Sequence, residues 1–196
     1  YYVPHDPFGR EGDFITAPEI SQMFGELIGL WSASVWNMMG MPEKVQLIEL
    51  GPGRGTMMAD ALRALRILPA FYNAIEIHLV EHSPALRAIQ RDTLADSRPV
   101  QWRLDDIPPG PAIILANEYF DALPVHQMVK TSYGWHERMV DVDDDTFSFV
   151  LAKEPTKGFE VSVPPHVRAA PVGTIFEWRP ASEIMMLARR LRDPGG

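Results

Sequence analysis

A glycine-rich segment with the pattern Gly-x-Gly-x-Gly is the first feature of this chain that could do chemistry. Residues 49–55 read Glu-Leu-Gly-Pro-Gly-Arg-Gly, follow the apolar run 45–48 and precede a helix-like stretch that begins near Thr56. Glycines at every second position let the backbone turn sharply off a strand and let a ligand approach without a Cβ in the way. The helix start behind them offers free N–H groups to an anionic group. The segment therefore predicts a site for a nucleotide-type cofactor.

The spacing of this segment distinguishes it from other glycine-rich cofactor loops. A P-loop requires a lysine after its last glycine, and none follows Gly55. A dinucleotide fingerprint requires Gly-x-Gly-x-x-Gly, because its third glycine lets the helix pack against the strand. Here Glu49 lies two residues before Gly51, and acid-x-Gly-x-Gly-x-Gly resembles the S-adenosylmethionine (SAM) loop of class I methyltransferases. A plain strand-to-helix connection is the alternative for this segment taken alone.

A second acid is expected beside this loop. Residues 75–81 have the pattern of a buried strand that ends at Glu81, and Ser83-Pro84 follows as a helix N-cap and first helical residue. In a doubly wound sheet the carboxyl end of the next strand faces the ligand crevice, where a carboxylate can accept both ribose hydroxyls. A solvated acid at the strand end is the alternative.

Polar and acidic side chains also follow the most apolar strand. Residues 112–117 read Ala-Ile-Ile-Leu-Ala-Asn and lead into Glu118 and Asp121. Methyl transfer from a sulfonium is an in-line displacement, so orientation of the nucleophile supplies much of the catalysis. If the nucleophile is an arginine, a carboxylate can hold its guanidinium in a bidentate fork. We predict this role for Glu118, with Asp121 as the second candidate; capping of the following turn is the alternative.

The elements that must position these residues alternate between strand and helix, which requires right-handed crossovers and a parallel sheet. In chain order they are a strand at 45–50, a helix at 56–67, a strand at 75–81, a helix at 84–95, a short strand at 100–104 and a strand at 112–117.

A long helix is predicted before the first of these strands. Thr16 and Glu19 have the spacing of a capping box. Apolar residues then recur at helical spacing until Gly40 and Pro42. We expect their stripe to lie in the core; it consists of Ile20, Met23, Phe24, Leu27, Ile28, Trp31 and Val35.

The pattern changes after Pro124 to that of an antiparallel extension. Two strands flank Tyr133-Gly134 and predict a hairpin, and an acidic turn leads to a third strand. The predicted elements are strands at 126–132, 135–142 and 146–152, an irregular segment at 153–173, a strand at 174–178 and a helix at 181–191.

Composition agrees with one soluble α/β domain or one domain with an appendage. The chain has 196 residues, 46% of them hydrophobic, and no apolar run long enough to span a membrane. Its amino terminus lacks the pattern of a signal peptide. The absence of cysteine excludes disulfides, thiolate metal sites and cysteine nucleophiles. A net charge of −8 disfavours a broad nucleic-acid-binding surface and suits a cationic partner better.

Two apparent metal sites fail on geometry. His78 lies in a predicted strand, where its separation from His82 spans roughly 13 Å, so the two cannot share an ion. The acids at 141, 143 and 145 imitate the start of an EF-hand loop, but its sixth and twelfth positions are Thr146 and Ala152. A solvated hairpin turn is predicted there, and no metal site.

Four segments together resemble the MidA-like family of SAM-dependent methyltransferases, which includes the mitochondrial protein arginine methyltransferase acting in assembly of respiratory complex I. The segments are 12–26, 49–56, 81–84 and 116–124. The resemblance runs from residue 1 to about residue 192 and implies a Rossmann-like class I methyltransferase fold, here with an antiparallel β extension. Because family members usually continue into another strand, the sheet is expected to be incomplete at the C-terminus.

The resemblance also implies site residues. Thr16, Pro18 and Gln22 fall in an amino-terminal signature that should close over the cofactor, and Asp106 matches an adenine contact. Glu118 is similar to the first substrate-binding glutamate of protein arginine methyltransferases. The full set of cofactor-binding positions is Thr16, Pro18, Gln22, Glu49, Gly51, Gly53, Gly55, Glu81, Asp106 and Asn117, and the catalytic candidates are Glu118 and Asp121.

The implied function is methylation of arginine on a partner protein such as a respiratory complex I subunit, with SAM as the cofactor. A SAM-binding assembly factor without essential catalysis and a small-molecule methyltransferase are the alternatives. The location would be the cytoplasm in a bacterium or the mitochondrial matrix in a eukaryote. Three parts are expected: a cofactor-closing segment and helix at 1–44, a SAM-binding core at 45–125 and the β extension at 126–196.

Overall fold

The computed structural model describes residues 17–95, 107–179 and 182–192. Thr16, Asp106 and the strand predicted at 100–104 lie outside these ranges. The described residues divide into two compact units, one up to Asp121 and from Leu187 onward, the other Ala122–Met186. Within the described ranges, no helix is both long and apolar enough to cross a membrane.

The observed elements follow the predicted order closely. The strands are β1 Val45–Leu50, β2 Ile75–Val80, β3 Ala112–Leu115, β4 His126–Thr131, β5 Gly134–Asp143, β6 Thr146–Leu151 and β7 Ile175–Trp178. The helices are α1 Ala17–Ile20, α2 Gln22–Met38, α3 Thr56–Leu65, α4 Pro69–Ala74, α5 Pro84–Thr93, α6 Phe159–Ser162, α7 Pro165–Arg168 and α8 Ser182–Arg192. Three short helices, α4, α6 and α7, were not predicted, and α6 and α7 lie in the segment expected to be irregular.

The first unit is built on a parallel sheet with the order β2-β1-β3. The register runs from Val45 opposite Ile75 to Leu50 opposite Val80, and Glu49 is paired with Leu115 on the other side. Every residue of β1 is buried, as expected for a central parallel strand covered on both faces. The predicted parallel arrangement is therefore confirmed for these strands.

Alternate residues of the sheet pack into two apolar clusters. Leu47 and Leu79 belong to the larger cluster, which also contains buried residues of α3 and α4. Ile48 and Val80 belong to the other cluster, which includes Leu187 of α8. Alternate side chains of each strand therefore pack on opposite faces of the sheet, because successive side chains of a strand point in opposite directions.

The core prediction for the first long helix was partly wrong. Ser21 is extended and separates α1 from α2, and four of the seven stripe residues are exposed: Ile20, Met23, Leu27 and Trp31. The buried face of α2 consists of small residues: Gly25, Gly29, Ser32 and Ala33. A Cβ at Gly29 would lie only 2.9 Å from the Cα and carbonyl oxygen of Ala61. The small side chains therefore allow α2 to pack against the backbone of α3, and the larger side chains of the stripe are exposed or half-buried.

This close approach predicts a large loss of stability for Gly29→Val. The added side chain would displace the α3 backbone, and such overpacking costs about 1–3 kcal/mol or more. In urea denaturation we expect a lower midpoint with an unchanged slope. Ser34→Val, on an exposed position of the same helix, is the matched control and should unfold near the wild-type midpoint. Equal midpoints for the two variants would contradict the packing of α2 on α3.

The second unit is an antiparallel sheet with the order β6-β5-β4-β7. Asp144 and Asp145 connect β5 to β6 with φ of 45° and 60°, the left-handed geometry of a two-residue hairpin turn. The predicted hairpins and acidic turn are confirmed. Met128 and Trp135 are buried with residues of the α6–α7 segment, which gives this unit a small core of its own.

Candidate functional site

The carboxyl edge of the parallel sheet brings together most of the predicted site residues. Gly51 follows β1, and its N–H donates to the carbonyl of Val80 at 3.0 Å. Glu81 follows β2, and Asn117 lies two residues beyond β3. The parallel register ends with Leu50 opposite Val80 and Glu49 opposite Leu115, so Glu81 and Asn117 follow the two strands that flank β1. The glycine loop therefore lies between a buried acid and the polar segment that begins at Asn117.

The loop itself depends on glycine. Gly51, Gly53 and Gly55 have φ of 61°, 54° and 82°, all in the left-handed region. The N–H of Gly55 donates to the carbonyl of Pro52 at 2.8 Å and closes the turn. Gly55 is also the N-cap of α3, and no side chain caps the helix there. Glycine offers no side-chain acceptor to the first amides of α3, and in a cofactor loop the ligand can supply that acceptor.

Tyr119 covers one side of this loop, and it was not among the predicted site residues. A Cβ at Gly51 would lie 2.6 Å from Cδ2 of Tyr119. Position 51 therefore requires glycine for a second reason besides its backbone conformation. The tyrosine packs on Phe120 with their rings 5.3 Å apart at 75°. The only sequence signal was its place in Asn-Glu-Tyr-Phe-Asp.

Glu81 is held firmly at the end of β2. It is only 9% exposed, and its Oε1 accepts a hydrogen bond from the N–H of Ser83 at 2.8 Å. Its carbonyl oxygen accepts from Nε of Arg87 at 2.7 Å and also from Nη2 of the same guanidinium. Both the carboxylate and the peptide of Glu81 are thus oriented by the start of α5.

Glu49 is a buried acid in the central strand. It is 3% exposed, and its Oε2 has no hydrogen-bond partner among the described residues. Burial raises the pKa of its carboxyl to about 8, because desolvation disfavours the charged form. A positive charge close to this carboxyl would lower its pKa again and restore the ionised form.

Glu49 also predicts a pH-dependent stability. Its pKa is raised from 4.5 to about 8 in the folded protein, so the folded state holds a proton that the unfolded chain releases. Stability must therefore fall as the pH rises between these values. Glu49→Gln removes this titration, and we expect the variant to be more stable than the wild type at pH 8 by on the order of a few kcal/mol, with the difference shrinking toward pH 5. Thermal melting of both proteins without ligand, at several pH values, measures this difference in stability. A stability difference that does not depend on pH would contradict the prediction.

The short helix α1 contacts the loop through a residue that was assigned only a capping role. Oε1 of Glu19 accepts from Oγ1 of Thr56 at 2.7 Å, and Oε2 lies 3.9 Å from Nη1 of Arg54. Pro18 is half-buried in the same helix. Gln22 is exposed, and its amide donates to Oε1 of Glu26 at 2.8 Å. The amino-terminal signature thus adjoins the glycine loop through Glu19, while Gln22 bonds within α2.

The catalytic candidates lie in the turn after β3. Glu118 has a φ of 47°, which is uncommon for a residue with a side chain, and it is exposed. Backbone strain of this kind persists where the surrounding structure holds it and is often found at functional sites. Asn117 is half-buried, and Asp121 is exposed at the end of the first unit. Their roles remain predictions.

Gln90 was missed by sequence reasoning. Its side chain is 1% exposed, and its Nε2 donates to the carbonyl of Gly53 at 2.6 Å. A signal was present, because Gln90 is the polar member of the row Leu86, Gln90 and Leu94 at helical spacing.

No group of three or more potential ligands in the described ranges could hold a metal ion.

Comparison with known proteins defines the class to which this fold and site belong. Residues 27–195 match the family described as "Putative S-adenosyl-L-methionine-dependent methyltransferase", and the chain belongs to this family. The crystal structure of a Burkholderia thailandensis protein bound to S-adenosyl-homocysteine is similar, with a TM-score of 0.70 and 30% identity over 95% of this chain and 48% of that chain. The predicted family and the α/β methyltransferase fold with an antiparallel extension are confirmed.

Individual relatives are mitochondrial enzymes by name. The chain is 46% identical to the mitochondrial protein arginine methyltransferase NDUFAF7 of Mus musculus, over 78% of this chain and 41% of that protein. It is 38% identical to the Xenopus laevis protein of the same name, over 100% of this chain and 51% of that protein. The chain thus spans about half the length of the curated relatives it matches.

Proposed function

We propose that this protein is a SAM-dependent methyltransferase that methylates arginine on a partner protein. The observation that carries the proposal is the carboxyl edge of the parallel sheet. There, three left-handed glycines at the end of β1 lie between buried Glu81 and the segment that contains Glu118. Membership of the methyltransferase family and the names of the relatives support the same reaction.

The charges and the backbone geometry of this edge support SAM as the ligand. SAM carries an ammonium and a sulfonium, and the unpartnered oxygen of Glu49, with its raised pKa, suits a cationic ligand. The glycine loop allows a close approach to the backbone, and Glu81 would accept the ribose hydroxyls. Asn117, Pro18 and Gln22 remain further candidates for cofactor contacts, as do Thr16 and Asp106 outside the described residues.

Glu118 would act on the substrate. An exposed carboxylate can accept two hydrogen bonds from an arginine guanidinium and fix its orientation. One guanidinium nitrogen then forms a bond to the methyl carbon as the bond from that carbon to sulfur breaks, and a proton is released. Positioning of this kind supplies most of what an in-line displacement requires. Asp121 is the second candidate for this role.

The partner that we propose is a respiratory complex I subunit, because the MidA-like family that the chain resembles includes a protein arginine methyltransferase acting in complex I assembly. The mitochondrial protein arginine methyltransferases among its relatives are consistent with this choice. The corresponding location is the mitochondrial matrix in a eukaryote and the cytoplasm in a bacterium. An acidic chain with a net charge of −8 suits a substrate segment that presents arginine.

The test is incubation of the full chain and purified complex I subunits with methyl-labelled SAM, followed by mass spectrometry. We expect label on arginine of a subunit. SAM binding without label on any protein would favour an assembly factor that does not catalyse, and label in the small-molecule fraction would favour a small-molecule methyltransferase.

A further inference from the structure

Gln90 is bonded to the glycine loop at Gly53 and lies close to Gly55. Its Nε2 donates to the carbonyl of Gly53 at 2.6 Å. Its Cγ lies 3.5 Å from the position that a Cβ at Gly55 would occupy. Because the side chain is 1% exposed, this amide is shielded from competing water. The contact therefore bears directly on the conformation of the loop.

The orientation of the Gly53 carbonyl determines the direction of the next backbone N–H, which a ligand could bind. A trans peptide is planar, so its N–H points opposite to its C=O. Holding the carbonyl of Gly53 toward α5 thus directs the N–H of Arg54 away from Gln90. Glycine readily adopts several backbone conformations, and the loop needs an external contact to select one of them.

The same side of α5 also orients Glu81. Ser83 is the N-cap of α5, and Arg87 and Gln90 lie within the helix at the spacing of one face. Ser83 donates its N–H to the Glu81 carboxylate, and Arg87 donates to the Glu81 carbonyl. One helix thus fixes both the acid beside the loop and the loop itself.

We propose that Gln90 is a positioning residue for the cofactor: its buried amide holds the Gly53–Arg54 peptide in the orientation that receives SAM. This inference rests on the proposed function. Gln90 acts through the loop, so its removal should weaken the binding of SAM far more than it slows methyl transfer at saturating SAM.

The first test is Gln90→Met, which keeps the length of the side chain and removes its donor. We expect the Kd for SAM to rise about tenfold, since the half-buried carbonyl of Gly53 loses its hydrogen bond. The rate at saturating SAM should change much less. Ala88→Met, at an exposed position of the same helix, is the matched control and should bind SAM like the wild type.

The second test is Gln90→Glu, whose result a purely structural role would not produce. A protonated carboxyl can donate to the carbonyl of Gly53, whereas an ionised one repels it, and burial raises the pKa of such a carboxyl. The Kd of this variant should approach the wild-type Kd at pH 5.5 and exceed it increasingly toward pH 8.5. Comparison with the wild type at each pH accounts for titration of Glu49. The neighbouring charged side chains, Arg54 beside Gly53 and Arg87 on α5, are common to both proteins.

The outcomes separate this inference from the proposed function. If the wild type binds SAM and Gln90→Met binds equally well, the inference is wrong and the proposed function stands. The inference is also wrong if the ratio of the Gln90→Glu Kd to the wild-type Kd does not change with pH. This second measurement is sufficient on its own if Gln90→Met fails to fold. If the wild type does not bind SAM at all, the proposed function fails and the inference falls with it.

Discussion

Gly53→Val is expected to abolish binding of SAM and S-adenosylhomocysteine with little loss of fold. Gly53 has a φ of 54°, and a β-branched residue in this left-handed conformation is strained by about 1–3 kcal/mol. The loop can relieve the strain only by turning its peptides, which would break the contact from Gln90 to the Gly53 carbonyl. The valine side chain would also occupy the volume in which the ligand meets the backbone.

Ligand-induced thermal shifts measure this effect. The matched control is Gly40→Val, because Gly40 has a φ of 84° and a Cβ there would meet nothing within 4 Å. The control imposes similar backbone strain outside the loop, so it should lower the melting temperature and retain the full shift with SAM. Equal shifts for wild type and Gly53→Val would show that the loop is only a structural connection.

Glu118→Gln is expected to lose most methyl transfer while keeping SAM affinity and partner binding. The amide preserves size and leaves the left-handed backbone at position 118 as it was. It removes the charge that orients a guanidinium, and charge-assisted hydrogen bonds are roughly twice as strong as neutral ones. Loss of one or two bonds that strengthen in the transition state costs about 3 kcal/mol, or about a hundredfold in rate.

A quantitative methyl-transfer assay beside a pull-down of the partner subunit tests both halves of this prediction. Glu154→Gln, an exposed position in the second unit, is the control for an unrelated loss of charge. If Glu118→Gln methylates at the wild-type rate, Glu118 is a turn-capping acid and the catalytic role moves to Asp121 or to residues outside this chain.

The alternation of strands and helices could be predicted because its signals are local. Apolar runs end at turn residues, and the Gly-x-Gly-x-Gly spacing requires a particular backbone geometry at the end of β1. The observed glycines at 51, 53 and 55 all have the positive φ that this spacing suggests. The bounds of β1 were predicted correctly, and most other strand and helix bounds differ from the predicted ones by one or more residues, because element ends are weakly specified by pattern.

The buried face of α2 could not be predicted from periodicity alone. The stripe of large apolar residues marks one side of the helix, but close contact with α3 is made by Gly25 and Gly29. Small residues carry little hydrophobic signal, and they determine how near two backbones can come. A pattern of hydrophobicity therefore pointed partly to the wrong face.

Several contacts of the candidate site could not be predicted from the sequence either, because they join residues that lie far apart along the chain. Gln90 and Gly53 are 37 residues apart, as are Thr56 and Glu19. The ring of Tyr119 meets Gly51 only because β3 lies next to β1. Such contacts follow from the arrangement of the sheet, which local sequence patterns do not encode.

Titration calorimetry of the full chain with SAM, S-adenosylhomocysteine and NAD tests the central claim most directly. The glycine spacing, the buried Glu49 and the oriented Glu81 together predict that SAM and S-adenosylhomocysteine bind with micromolar affinity and that NAD does not bind. Micromolar binding of NAD, with no heat from SAM, would contradict the assignment of this site to a methyltransferase.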